Sequence, residues 1–458
     1  MTLTHILIFA AGAFAFRLLP SAWRPWALLI GSLGAIYLLQ PALTLLPMTY
    51  ALPTLTLVLA LIGWWLTRPP EAEALTRDDW ATLGAIGGAG AAAAVLGALD
   101  LLPIPAPPLF DVLLAFVGLG LALTAVQPLV AGAAERRAAI PIFLAVLIGL
   151  FIVLKSPPLT EGLAAWLRAH ANRPLSVAGA LDVGWLGFSY VAFRLIHTLR
   201  DRQSGKLPAL SLREYLTYLI FFPAYTAGPI DRAERFVKDY RNLAPLEAGR
   251  AMEGFGRIGV GILKKFVLAD TLALIALDPL SASRVQSLPG LLLLIYAYSF
   301  RLYFDFSGYS DIAIGIGRLY GINLPENFAL PYLKSNLTAF WQSWHITLSN
   351  WARFYVFMPL SRYLFTTLKG SNKAVAVLIA QVSTMLIIGL WHGISLNFVL
   401  WGLWHGIGLW LHKQYSDRTR DFYTQLSTRP LLRRCVYTAG VLVTFHYVSF
   451  GWVLFVLF

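Results

Sequence analysis

The sequence predicts an all-α, polytopic helical membrane protein with about twelve spans, plus re-entrant or tilted helices around a central cavity. Of its 458 residues, 58% are hydrophobic and only 13% are charged, whereas an ordinary soluble domain carries roughly a quarter charged residues. Its 15 tryptophans are typical of side chains that anchor a protein at two membrane–water interfaces. Apolar runs of spanning length recur along the whole chain.

These runs define the predicted spans. A bilayer core of about 30 Å is crossed by about 20 helical residues. On that measure, spans are predicted near residues 3–19, 26–46, 53–67, 80–99, 109–130, 138–154, 178–199, 255–277, 289–305, 374–391, 394–412 and 436–457. We expect them to form a single integral membrane domain over residues 1–458.

The net charge of +13 does not indicate nucleic-acid binding, because the basic residues fall in short loops between apolar runs rather than on one patch. Such loops are typical of the positive-inside rule, which here predicts that both termini lie outside the cytoplasm. The first 19 residues lack a basic n-region, so no cleavable signal peptide is expected. The single cysteine, Cys435, allows neither an internal disulfide nor a cysteine metal site.

One apolar segment, residues 213–230, breaks the alternation of loop charge. Basic residues flank it on both sides, beginning with Arg213 and Arg232. A re-entrant hairpin bent at Pro223 and at Gly228-Pro229 explains this pattern, and such backbone survives at membrane depth only when protein or a water-filled cavity covers it. The alternative is an ordinary span kinked by proline.

Residues 301–360 form a second irregular region. They place Ser307, Ser310 and Asn336 among aromatic residues and glycines, which is too polar for a helix that faces lipid. Short amphipathic or tilted helices that line a pocket explain this composition better than simple spans do.

Two carboxylates in this region, Asp305 and Asp311, lie six residues apart and therefore on different faces of a regular helix. They can bind substrate or orient a histidine. An ion pair with Arg301 or Arg318 is an equally supported alternative. Intramembrane carboxylates also serve proton-coupled transport, so a transporter or flippase of a lipid-linked or polymeric substrate remains an alternative function.

Two histidines stand out within apolar sequence, His345 in FWQSWHITLSN and His392 in LIIGLWHGISLNF. An unpaired polar group in such surroundings costs about several kcal/mol, which favours a functional role. Imidazole is the usual general base, because its pKa of about 6.5 lies near operating pH. Trp344 and Trp391 precede the two histidines and can shape a pocket or stack on a donor. His405 repeats the Trp-His-Gly pattern, and composition alone does not rank it below His392.

Other site classes have little support in the sequence. No H-x-x-x-H or carboxylate–histidine spacing indicates a metal site, and none is expected. No G-x-S-x-G elbow indicates a serine hydrolase. A hydrogen-bonded structural role remains the alternative for each histidine.

Four longer runs carry a family resemblance: FFPAYTAGPIDRAERF, LYFDFSGYSDIAIGIGRLYGI, ENFALPYLKSNLTAFWQSWHITLSNW and GLWHGISLNFVLWGLWHG. Together they closely resemble the bacterial membrane-bound O-acyltransferase (MBOAT) family, in both its alginate-type polysaccharide O-acetyltransferase branch and its teichoic acid D-alanyl transferase branch. The resemblance covers residues 185–452 and defines a catalytic core over residues 181–455. Residues 1–180 are N-terminal spans that resemble the family only weakly.

The resemblance implies roles for particular residues. The family's functional histidines map onto His345 and His392, whereas His405 matches a less central motif position. His392 would be the general base on the acceptor hydroxyl and His345 would polarise or position the donor carbonyl, or the two would exchange these roles. The residues expected to bind substrate are Asp305, Ser307, Asn336, Trp344 and Trp391.

The resemblance also implies the partners of the reaction. The enzyme would lie in the bacterial inner, or cytoplasmic, membrane among membrane lipids and pass an acyl group across it to an extracytoplasmic polymer or to a periplasmic or extracellular acyltransferase partner. Acetyl is the first expectation for that group and D-alanyl the second. The donor would be an acyl thioester, either acetyl-CoA or an acyl carrier protein, with no permanently bound cofactor.

Overall fold

Helices make up all the regular structure in the part of the chain that the computed structural model describes, which is residues 1–69, 74–99, 132–243, 245–368, 372–426 and 428–457. The α-helices are α1 Leu3–Leu18, α2 Arg24–Leu39, α3 Leu46–Thr67, α4 Arg77–Ala98, α5 Ala133–Lys155, α6 Pro157–His170, α7 Phe188–Gln203, α8 Leu212–Ile220, α9 Phe222–Tyr225, α10 Ala233–Arg241, α11 Ala248–Ile262, α12 Asp270–Ala273, α13 Pro279–Arg284, α14 Leu288–Tyr320, α15 Leu337–Trp341, α16 Ile346–Ala352, α17 Met358–Thr367, α18 Lys373–His392, α19 Leu396–Arg418, α20 Arg420–Leu426 and α21 Pro430–Leu457. Two π-helical segments, Leu263–Ala269 and Arg353–Phe357, interrupt this series. The predicted all-α class is therefore confirmed over these residues.

Local sequence signals account for several helix starts. The side chains of Thr2, Thr76 and Ser211 each accept the backbone N–H three residues further on, at the beginnings of α1, α4 and α8. Each such cap satisfies an N–H group that has no partner inside its own helix, and contributes about 1 kcal/mol.

Within the described residues, six helical stretches are long and apolar enough to cross a membrane, which supports a multi-pass protein. They are Ser21–Leu39, Pro47–Thr67, Arg77–Gly97, Ala134–Lys155, Lys373–His392 and Pro430–Leu457. The apolar helix α1 is shorter. The predicted count of about twelve spans is not reproduced, and the span predicted at 109–130 lies outside the described residues.

The predicted span at 178–199 shows why the count differs. The chain there forms 3-10 turns at Leu175–Val177 and Ala180–Val183, and α7 begins only after Gly187, whose φ is +76°. The predicted span at 255–277 is interrupted, because a π-helical segment and the short helix α12 follow α11. The predicted spans at 289–305 and 394–412 lie on the continuous helices α14 and α19, which are long enough to cross a membrane but are not apolar enough to be among the six.

By its contacts, the chain divides into two compact units, and the first comprises residues 1–255 and 313–324. In this unit α3 packs on α7 and α8, and α2 packs on α8. The predicted break at 213–230 is present as two short helices, α8 and α9, followed by a turn in which Gly228 has a φ of +84°. The fully buried Arg194 donates hydrogen bonds to the carbonyls of Leu219 and Ala224, both at 2.7 Å, and so joins α7 to this segment.

A buried ion pair also belongs to the first unit. Arg168 on α6 donates two hydrogen bonds to Asp182, at 2.6 and 2.8 Å, and both side chains are almost inaccessible. The guanidinium holds the pKa of the Asp182 carboxyl below its usual value. The pair therefore ties α6 to the irregular chain before α7.

The second unit comprises residues 256–312 and 325–458. The helices α18 and α19 form a tightly packed hairpin, and α21 packs on α19. The short helices α15 and α16 lie at the predicted histidine stretch, so the expectation of short helices between residues 301 and 360 is confirmed there.

Candidate active site

His345 occupies a strained backbone position at the start of α16. Its φ is +41° and its ψ is +54°, in the left-handed region that side chains other than glycine and asparagine rarely adopt. The side chain is 4% exposed, and its Nε2 atom has no hydrogen-bond partner among the described residues. Such strain is retained where the surrounding structure imposes it, and it is frequent at functional sites.

Asn327 imposes this conformation from a neighbouring loop. Its backbone carbonyl accepts the N–H of Ile346 at 2.9 Å, and its Oδ1 accepts the hydroxyl of Thr347 at 2.7 Å. Its Nδ2 donates to Ser310 on α14 at 3.2 Å. Asn327 is itself completely buried, so the chain on the C-terminal side of His345 is held by hydrogen bonds that water does not reach.

His392 ends α18 and comes close to His345 through the indole of Trp391. The ring centroids of His345 and Trp391 are 6.1 Å apart, and those of Trp391 and His392 are 4.5 Å apart. His392 also packs against the ring of Phe455 at 4.9 Å. It is half-buried, unlike His345. The structure therefore brings together the two histidines and one of the two tryptophans predicted from sequence.

The other predicted tryptophan, Trp344, belongs to an aromatic cluster next to this site. Its ring packs against Phe328 at 5.2 Å, Trp452 at 5.1 Å and Phe340 at 5.6 Å. Asn336, predicted to bind substrate, caps α15 by accepting the N–H of Ala339 at 2.8 Å. In the structure, Trp344 therefore makes packing contacts and Asn336 makes a helix-capping hydrogen bond.

A polar pocket of about 520 Å³ lies in the same unit. Its polar lining includes Arg257, Lys264, Ser307, Asp311, Glu326 and Asn327. Ser307 is 2% exposed, and its hydroxyl finds no hydrogen-bond partner in the described parts of the chain. Asn327 belongs both to the pocket wall and to the support of His345. The predicted substrate residue Ser307 therefore lies in a pocket that adjoins the histidine site.

The two carboxylates of α14 form ion pairs, although not with the arginines suggested by sequence. Asp311 accepts from Arg257 and Lys264, both at 2.6 Å, and Asp305 pairs with Lys265. The alternative pairing with Arg301 or Arg318 is not found: Arg318 pairs with Glu253 at 3.0 Å, and the partners of both aspartates come from α11 and the π-helical segment that follows it. Proton-coupled transport needs a carboxylate that exchanges its proton, and these ion pairs do not favour that role.

Sequence reasoning missed Arg257 and Lys264 as site residues. They lie seven positions apart, which is two helical turns, and so they share one face. That spacing within an otherwise apolar run, GRIGVGILKKF, is the signal that identifies them.

His405 lies deeper in the second unit. Its side chain is completely buried between the rings of Trp401 at 4.8 Å and Trp341 at 5.2 Å. Within the described residues, neither ring nitrogen has a hydrogen-bond partner. Trp401 also packs on His392, with 5.8 Å between ring centroids, so His405 is one ring removed from the histidine pair.

A group of metal-type ligands comes together in the first unit, and its one local signal in the sequence, the four-residue spacing of His197 and Asp201 on α7, was overlooked. Atoms of His197, Asp201 and Glu234 lie within 4.8 Å of one another. The Nε2 atom of His197 accepts the N–H of Ala233 at 3.0 Å, and Asp201 accepts from Arg232 at 2.9 Å. Protein groups thus already engage the ligand atoms of His197 and Asp201, and the cluster joins α7 to the start of α10.

Comparison with known proteins identifies the family of the chain. The model of the MBOAT, membrane-bound O-acyltransferase family matches residues 159–450, which is more than half of the chain. A teichoic acid D-alanyltransferase of Streptococcus thermophilus is 33% identical over 288 residues, covering 60% of this chain and 68% of the relative.

Relatives of the acetylating kind are equally similar. A probable alginate O-acetylase of Pseudomonas putida is 35% identical over 272 residues, covering 59% of this chain and 52% of the relative. A peptidoglycan O-acetyltransferase of Helicobacter pylori is 35% identical over 272 residues, with coverage of 56% and 48%. The match thus spans only about half the length of these two relatives. The chain belongs to the membrane-bound O-acyltransferase family, and it is a multi-pass membrane O-acyltransferase.

Proposed function

We propose that this enzyme moves an acyl group from a thioester donor across the membrane to hydroxyl groups of an extracytoplasmic polysaccharide or another cell-envelope polymer. The observation that carries the proposal is the pair of imidazoles, His345 and His392, that the ring of Trp391 bridges. The relatives' names support the polymer acceptor, because they refer to teichoic acid, alginate and peptidoglycan.

His392 is the general base in this mechanism. Its neutral imidazole takes the proton of the acceptor hydroxyl while the hydroxyl oxygen attacks the thioester carbonyl carbon. The C–S bond then breaks, and the imidazolium returns the proton to the thiolate that leaves. The products are an ester and a free thiol, and no covalent enzyme intermediate is needed. Half-burial suits this role, because the base must meet a substrate and also remain uncharged before reaction.

His345 stabilises the charge that develops on the carbonyl oxygen. Its buried Nε2 has no other hydrogen-bond partner among the described residues, so in the Nε2–H tautomer it can donate to that oxygen. The fixed backbone of His345 holds its imidazole N–H in position before the reaction begins. Such preorganisation is the condition for effective electrostatic stabilisation.

We place the enzyme in the bacterial cytoplasmic membrane, with the donor on one side and the acceptor, or a partner acyltransferase that completes the transfer, on the other. Acetyl is the first candidate for the acyl group, because relatives of two acetylating kinds, named for alginate and for peptidoglycan, match the chain. D-Alanyl is the second, at 33% identity.

The test offers radiolabelled acetyl-CoA and, separately, a D-alanyl-charged carrier protein to the purified enzyme in vesicles that contain acceptor polymer. We expect label to leave one donor and appear on the polymer with the wild type, and not with His392→Ala. Consumption of both donors at equal rates by wild type and variant would contradict the proposal, as would label that never reaches a hydroxyl acceptor in the presence of the native membrane fraction.

A further inference from the structure

The polar pocket contains two cations for which the proposed acyl transfer has no role, Arg257 and Lys264. Both are partly accessible, with side-chain exposures of 29% and 24%. A cation that is partly withdrawn from water in a pocket needs a compensating anion, which comes from the protein or from a ligand.

A close helix crossing delivers these cations to the pocket. A Cβ atom on Gly261 would lie 2.6 Å from the carbonyl oxygen of Gly308, so α11 and α14 touch backbone to backbone. The π-helical segment that begins at Leu263 follows directly. Such segments are rare and are frequent at functional sites. The crossing and the π turn bring Lys264 within 2.6 Å of Asp311.

The charge balance at this crossing leaves room for an anionic ligand. Asp311 is one carboxylate shared by two cations, and it is only 7% exposed. The second carboxylate, Glu326, binds the outer side of Arg257 but is 48% exposed. Because exposed ion pairs contribute little, a ligand anion can displace Glu326 from Arg257 while Asp311 stays in place.

The pocket also adjoins the reaction centre. Asn327 lines it and holds the residues that follow His345. Ser307 lines it as well, and the preceding residue, Phe306, packs its ring on His345 at 4.6 Å. A ligand whose charged end lies at Arg257 can therefore extend past the Ser307 hydroxyl towards the histidines.

We propose that this pocket binds the phosphate of the donor's pantetheine arm, with Arg257 and Lys264 as its ligands and Ser307 as a hydrogen-bond donor to the arm. The inference rests on the proposed thioester donor. It applies to both candidate donors, because acyl-CoA and acyl carrier proteins attach the acyl group to the same phosphate-bearing arm. Arginine is suited to this contact, because its planar guanidinium binds phosphate oxygens in pairs.

The test measures binding first, so that it does not depend on turnover. Pantetheine 4′-phosphate and pantetheine, which lacks the phosphate, are titrated by calorimetry into the purified enzyme. We expect the phosphate to improve affinity roughly tenfold or more, as a charge-assisted hydrogen bond does. Arg257→Gln and Lys264→Gln abolish that difference, whereas Arg250→Gln, on the same helix but outside the pocket lining, preserves it. Equal binding of the two compounds to the wild type would overturn the proposal.

Glu326→Gln gives an independent test that carries little folding risk, because the side chain is half-exposed. We expect it to bind pantetheine 4′-phosphate several-fold more tightly, since it removes the competing carboxylate; weaker or unchanged binding would contradict the displacement step. Inorganic phosphate and glycerol 3-phosphate serve as competitors. Competition by either at the same concentration as pantetheine 4′-phosphate would identify a general anion or lipid-headgroup site and overturn the assignment to the donor.

Transfer assays then distinguish acetyl-CoA from a carrier protein as the source of the arm. They also test the proposed acyl transfer separately from phosphate binding in the pocket. With acetyl-CoA or with a charged carrier protein, Arg257→Gln raises KM for whichever donor the wild type uses and leaves kcat nearly unchanged. Phosphate-dependent binding without any transfer would contradict the proposed function alone. Transfer with no dependence on the phosphate would contradict this inference alone.

Discussion

The side-chain oxygen of Asn327 accepts the hydroxyl of Thr347 at 2.7 Å, two residues after the strained His345. This bond joins the wall of the polar pocket to the helix that begins at the reaction centre. It is the structural reason to expect that a buried asparagine in a loop affects catalysis.

Asn327→Ala should therefore impair both stability and transfer. The change removes the buried hydrogen bonds that Asn327 makes with the hydroxyls of Thr347 and Ser310, which costs about 1–3 kcal/mol. Thermal unfolding in detergent and initial rates of acyl transfer measure the two effects. The matched control is Asn350→Ala, on the exposed side of α16, which we expect to resemble the wild type. Equal effects of the two substitutions would show that Asn327 has no special part in the site.

The left-handed backbone of His345 predicts which substitutions preserve the fold. Asparagine adopts this conformation readily, so His345→Asn should retain the thermal midpoint and lose most transfer activity. A β-branched residue does not, so His345→Val should lose activity and also about 1–3 kcal/mol of stability. Thermal unfolding midpoints of the two variants check the expectation that the asparagine variant is the more stable one. An equally stable valine variant would mean that the backbone at 345 is not strained in solution.

The substitution His405→Phe tests whether the third histidine takes part in catalysis with His345 and His392. Its ring nitrogens have no partner in the described structure, so phenylalanine keeps the aromatic packing and removes two buried polar atoms. We expect an unchanged or higher unfolding midpoint, since an apolar group of the same shape is well tolerated. We also expect measurable transfer, in contrast to His392 variants. Complete loss of transfer by a stable His405→Phe enzyme would move His405 into the catalytic set.

The Arg168–Asp182 pair predicts a pH dependence of stability in acid. The pKa of Asp182 is lower in the folded protein than in the unfolded chain, where it is about 3.9. The pair therefore stabilises the fold fully above that value, and its contribution is lost as the pH falls through the lower, folded pKa. Asp182→Asn should have a lower unfolding midpoint than the wild type at pH 7, and the gap should narrow towards pH 3. A gap that stays constant with pH would exclude this linkage.

The fold class and the histidine pair were predictable from sequence for clear physical reasons. Long apolar runs in a chain with few charges must form helices within a bilayer. An imidazole in such a run is costly, which drew attention to His345, His392 and His405, and the family resemblance ranked the first two ahead of the third. The break at 213–230 followed from its basic flanks and from Gly228-Pro229.

The pocket was less accessible to sequence reasoning, because tertiary contacts build it. Arg257 and Lys264 meet Asp311 only where α11 and α14 cross, and nothing local in the sequence specifies that crossing. Asn336 was predicted to bind substrate, and the motif gave no sign that its Oδ1 also caps α15. The predicted count of about twelve spans stays unconfirmed, because α14 and α19 are less apolar than the six spanning stretches and the span at 109–130 lies outside the described residues.

General-base catalysis by His392 is tested most directly by the rate at which the labelled acyl group leaves its thioester donor. That rate is compared between His392→Gln and a matched control, His412→Gln. His412 is bonded to Thr338 at 2.9 Å, a contact that glutamine can retain. We expect the transfer rate of His392→Gln to fall by at least about a hundredfold, which is the contribution typical of a general base. The rate of the control should stay near that of the wild type. Wild-type transfer by a folded His392→Gln enzyme would contradict general-base catalysis by His392.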